Sequence, residues 1–85
     1  MMDAEAIGLR DGMRPVDMFD AAQALKRNGA LRNEVQVNGV SGTVSYFTPD
    51  GTRVLDIDVA RGFVEPYNDR LKDFYEPITY RLVRQ

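Results

Sequence analysis

The chain has no cysteine, no histidine and no tryptophan among its 85 residues. Without cysteine there is no disulfide framework, no thiolate zinc site and no thiol nucleophile. Without histidine the commonest metal ligand and general base is missing as well. Imidazole-based triads and dyads are therefore excluded, which leaves carboxylates, lysines, tyrosines and hydroxyls as the available reactive groups. Charge of one sign is also lacking: 13 acids and 11 bases are scattered along the chain for a net charge of −2. No basic nucleic-acid footprint is present, and the mild acidic balance favours basic protein partners. The opening MMDAEAIGLRDGMR interleaves acids with glycines and has no apolar run, so neither a signal peptide nor a membrane span is expected. The cytoplasm is the default location.

What is present is a sheet. Residues 34–59 read as two successive hairpins, NEVQVNGVSGTVSYF followed by SYFTPDGTRVLDIDV, with turn signals at Asn38-Gly39 and Asp50-Gly51. Around Asn38-Gly39 the expected pairs are Val37 with Val40 and Val35 with Gly42. At the second turn two registers compete. A three-residue Pro49-Asp50-Gly51 loop with a glycine bulge sets Phe47 across from Arg53, whereas a two- or four-residue loop pairs Tyr46 with Leu55, Val44 with Ile57 and Gly42 with Val59. The second is preferred because it keeps one face apolar, and a slip by one residue would reverse every side chain. The expected buried face is then Val35, Val37, Val40, Val44, Tyr46, Leu55, Ile57 and Val59. The wet face carries Gln36, Ser41, Thr43, Ser45, Phe47, Val54, Asp56 and Asp58.

Around the sheet, residues 1–14 read as a flexible arm, since Gly8 and Gly12 discourage a helix, and 15–85 as a single domain. A helix opens at Val16 with Asp17 as its cap and Pro15 just outside, carries a Met18, Ala21, Ala22, Leu25 stripe, and closes at Asn28-Gly29. A short second helix is expected from Pro66 to Pro77 through Tyr67, Leu71, Phe74 and Tyr75. Residues 78–83 alternate as a closing strand. The fold expected is α+β: a helix, a three-stranded antiparallel meander, a short helix and a closing strand, with the helices on one face of a four-stranded sheet.

Three groups of residues are candidate sites. Phe47 and Val54, facing each other on the wet side and rimmed by Arg53, would form the centre of a protein-binding patch. Arg53, Arg61, Arg81 and Arg84, with the hydroxyls of Thr43, Ser45 and Thr79, could instead converge on a small anionic ligand such as a nucleotide, although no glycine-rich phosphate loop accompanies them. Asp56 and Asp58, two apart on a strand, could begin a divalent-metal site but lack a third ligand; pairing with Arg81 or Arg61 is the plainer reading. Lys26 and Lys72 read as helix-surface charges, and Tyr46, Tyr67, Tyr75 and Tyr80 as core or core-edge residues. The FDAAQALKRNG helix leading into strands, then a short helix and strand, is similar in order and size to small phage-encoded accessory domains, including those that sequester nucleotide signals of bacterial defence. That likeness carries no functional residue across. The leading expectation is a non-enzymatic protein-binding or inhibitory module with no cofactor. Next comes a binder of an anionic ligand, and then a carboxylate metal enzyme. A homodimer through an exposed strand edge is also open.

Overall fold

The computed structural model describes residues 4–38, 41–59 and 78–83. One helix, α1 (Pro15–Arg27), packs on a four-stranded antiparallel sheet of β1 (Arg32–Asn38), β2 (Ser41–Phe47), β3 (Arg53–Val59) and β4 (Ile78–Leu82), lying in the order β1-β2-β3-β4. The second helix expected between Pro66 and Pro77 lies outside the described residues. No helix among the described residues is long and apolar enough to cross a membrane.

The helix α1 starts one residue earlier than expected and has Arg14 rather than Asp17 at its cap position. Pro15 is the first helical residue, and Arg14 before it is held extended, as the residue preceding a proline must be. Asp17 is therefore inside the first turn and does not cap it; its carboxylate accepts from Arg14 at 2.7 and 3.1 Å. The far end closes where Asn28-Gly29 predicts. Gly29 has φ +78°, its N–H donates to Lys26 O at 3.0 Å and the Ala30 N–H donates to Leu25 O at 2.9 Å, which together satisfy carbonyls the helix leaves open. The buried stripe is broader than expected. It takes in Phe19 and Gln23 beside Met18 and Ala22, while Ala21 and Leu25 are only partly covered. Burying a phenyl ring is worth roughly 1.5 to 3 kcal/mol, far more than the Ala21 methyl it displaces.

Within the segment read as an arm, residues 4–14 carry one turn and two buried side chains. A single 3₁₀ turn, Glu5–Ile7, leads to Leu9, which is fully buried with Ala4 in the core. The glycines that discourage a long helix make this possible: Gly8 and Gly12 take φ +92° and +94°, and the Leu9 N–H donates back to Ala4 O at 2.9 Å. The Tyr80 hydroxyl then donates to Met13 O at 2.7 Å, fastening this segment to β4.

Both hairpins need correction. In the first, Val35 pairs with Val44, Val37 with Gly42 and Asn38 with Ser41, two residues away from the expected register. The shift is even, so the faces survive, but Val35 is 37% exposed rather than core. In the second, both competing registers occur. The Thr48 N–H donates to Thr52 O and the Gly51 N–H to Thr48 O, each at 2.9 Å, with Gly51 at φ +90°. This is the three-residue Pro49-Asp50-Gly51 loop, and it sets Phe47 opposite Arg53. A bulge then intervenes, and from Tyr46↔Leu55 onward the other register holds, through Val44↔Ile57 and Gly42↔Val59. Loop chemistry wins at the tip and core burial wins along the strand, with one extra residue absorbing the difference.

The core joins Leu9, Met18, Phe19 and Ala22 to Val44, Tyr46, Leu55 and Ile57 on the inner face of the sheet. Inside it the Tyr46 hydroxyl donates to Gln23 Oε1 at 2.9 Å, so two buried polar groups satisfy each other. Burial pushes the Tyr46 phenol well above its ordinary range.

Candidate binding groove on the open sheet face

Register determines what the open face presents. Antiparallel pairing aligns Glu34, Ser45, Asp56 and Arg81 in one row across all four strands, and Gln36, Thr43, Asp58 and Thr79 in the next. Toward the Pro49-Gly51 tip lies Arg32, opposite Phe47, which in turn is opposite Arg53. The rows enclose a groove of about 390 Å³. Its floor is Thr43, Ser45 and Phe47, one wall is Glu34 and Gln36 from β1, and the other is Arg53, Asp56, Asp58 and Arg81.

Asp56 is the hub. It is 0% exposed, yet it sits on the polar side of its strand because every oxygen it buries is met. Oδ1 accepts from Ser45 Oγ at 2.8 Å and from Arg53 Nε at 2.9 Å, while Oδ2 accepts from a terminal guanidinium nitrogen of Arg53 and from one of Arg81 at 2.5 Å. Burial pushes the carboxyl up, and the hydrogen bonds from Arg53, Ser45 and Arg81 outweigh it, so Asp56 titrates below the usual carboxylate range. Asp58 is less engaged. It is half-buried, its Oδ1 accepts from Thr43 Oγ1 at 2.7 Å, and it forms no salt bridge among the described residues.

The residues singled out from sequence are placed as follows. Arg53, Thr43, Ser45 and Arg81 all line the groove, but around the carboxylates of Asp56 and Asp58 rather than around an open anion site. The Phe47 and Val54 pair does not form. The bulge sets Phe47 against Arg53, and Val54 is 1% exposed within the core cluster, its carbonyl accepting from the Val83 N–H at 2.9 Å. Phe47 is half-buried and carries the Arg32 guanidinium 4.5 Å from its ring centroid. Arg32 in turn donates to Glu34 Oε2 at 2.9 Å. Arg61 and Arg84 lie outside the described residues. Among the described residues no group of three or more ligating side chains is placed to hold a metal ion. Glu34 and Arg32 were missed as site residues. Their strand parity was legible, but the first hairpin's two-residue shift is what sets Glu34 across from Ser45, in the Asp56 row.

Compared with known proteins, the chain matches no protein-family model, no curated protein and no solved structure.

Proposed function

We propose that the protein is a non-enzymatic binding module, inhibitory or accessory in role, that engages a protein partner through the open face of its sheet. The observation that carries this reading is the closed state of the Asp56 network. Four donors saturate a buried carboxylate, so the most concentrated polar chemistry on the face is spent on fixing geometry. General acid–base work needs a group free to exchange a proton with substrate, and Asp56 is not free. What the network does provide is a rigid floor with partly exposed arginine flanks, suited to complementary polar recognition. The test is capture of a defined partner by wild-type protein and by Phe47→Asp, with chemical denaturation confirming that the variant folds. Loss of capture by a folded variant supports a surface centred on the groove, and undiminished capture removes it.

A second reading, an anionic small ligand held by the same face, is favoured by one observation. The side chains of Arg53 and Arg81 remain 45% and 68% exposed while bonded to Asp56, which keeps two cationic groups at the surface of the face. A thermal-shift screen against nucleotides separates the readings, because a ligand at a hundred times its Kd stabilises by about 2.7 kcal/mol. Absence of any shift counts against it.

A further inference from the structure

We infer that the groove receives an arginine side chain of a basic protein partner, seated over Thr43 and Ser45 with Asp58 as its counter-ion. The inference rests on the protein-binding reading above and names what the partner inserts. It begins with the direction of two hydrogen bonds. A hydroxyl has one proton and two lone pairs, whereas a carboxylate only accepts. Thr43 gives its proton to Asp58 and Ser45 gives its proton to Asp56, so both floor hydroxyls are left as acceptors toward the groove. The β1 wall adds more acceptor capacity. Glu34 is bonded to Arg32 through Oε2 alone, and Gln36 contributes an amide carbonyl beside Thr43. The donors on the opposite wall, Arg53 and Arg81, are drawn onto Asp56. The Asp58 end of the groove is therefore rich in acceptors, and its carboxylate has no salt-bridge partner among the described residues.

Such a site selects a cation with several donors. The acceptors come from three strands and are spread over two adjacent rows of the sheet, a layout matched by a planar guanidinium with five N–H groups in a fixed fork. A compact ammonium would satisfy fewer of them. The half-buried Phe47 ring in the groove floor offers apolar surface to the aliphatic stem of the incoming side chain, beside the Arg32 guanidinium it carries. The net charge of −2 favours the approach of a basic partner over an acidic one.

The experiment uses three blocked tripeptides, acetyl-Gly-Arg-Gly-amide and its lysine and glutamate counterparts, with inorganic phosphate as a fourth probe, titrated into the ¹⁵N-labelled protein of 85 residues. The arginine peptide is expected to shift the amides of Thr43, Ser45 and Asp58, the lysine peptide to bind more weakly at the same place, and the glutamate peptide to leave them unmoved. Asp58→Asn is expected to weaken the arginine peptide about tenfold, the worth of one hydrogen bond to a charged group. Glu34→Gln, at an exposed position that does not threaten folding, should weaken it by a smaller factor. Equal binding of arginine and lysine peptides overturns the choice of guanidinium, and unchanged affinity in a folded Asp58→Asn protein overturns the site. Phosphate shifting Arg81 and Arg53 while the arginine peptide shifts nothing overturns it in favour of an anion. The two proposals fail separately. A captured partner that binds Asp58→Asn and wild type alike leaves the binding module standing without the arginine, and arginine-peptide binding in a protein whose Phe47→Asp variant still captures its partner leaves the guanidinium site standing but not as the surface that partner uses.

Discussion

The two faces of the sheet are made by the same strands and obey different rules. Ser45 and Asp56 alternate along β2 and β3 with Val44, Tyr46, Leu55 and Ile57, yet Asp56 is as thoroughly buried as the aliphatic residues beside it. On the inner face burial is its own reward, since apolar area leaves water and no partner is needed. On the open face burial is a cost that only a full set of donors offsets. The inner face therefore sets how stable the protein is, and the open face sets what shape it presents.

Perturbing each face in turn sharpens that contrast. Phe19→Ala removes the largest apolar side chain α1 contributes to the core and is expected to cost about 3 to 5 kcal/mol, enough to approach the whole stability of a small domain; a urea midpoint close to wild type would show that the helix is not the inner face's main cover. Asp56→Asn leaves the two arginines without their shared counter-ion. Because both are substantially solvated, the cost should be nearer about 1 to 2 kcal/mol than that of a fully interior ion pair. Its pH dependence has a definite sign. The folded carboxyl titrates below its unfolded value of 3.8, so the unfolded chain takes up protons first as the solution is acidified. The stabilisation is fully present above that value and is lost as pH falls through the folded pKa. The gap in stability between wild type and Asp56→Asn should accordingly be widest near neutrality and close below about pH 4; a gap that widens in acid contradicts the assignment. The smallest effect belongs to Arg32→Ala. It removes a cation from the Phe47 ring at an exposed site and should cost about 0.5 to 1 kcal/mol, while leaving the Asp56 amide resonance in place.

The sequence made the alternation legible because period-two patterning is a strong signal over β2 and β3. The split into an apolar and a polar face follows from it, and so do Ser45, Thr43, Asp56 and Arg81 as neighbours. What escaped was set by single residues whose effect is geometric. Competing registers at Pro49-Asp50-Gly51 looked exclusive, because parity arguments assume a regular ladder and cannot see that a bulge allows both. That extra residue turned Val54 into the core and broke the expected surface patch. Gly8 and Gly12 were readable as helix breakers but not as the left-handed turns that carry Leu9 inward, because a breaker says where a helix stops and nothing about where the chain goes next. A narrow stripe of Met18, Ala21, Ala22 and Leu25 leaves Phe19 out, whereas a helix lying on a sheet buries a wider one that takes it in.

The fastening of Tyr80 to the Met13 carbonyl, together with the approach of α1 to β4, joins segments nearly the whole described length of the chain apart. During synthesis the helix emerges early and the strand it rests on emerges late, so that contact cannot close until residues 78–82 have left the ribosome. Final docking of the helix is thus tied to the synthesis of β4.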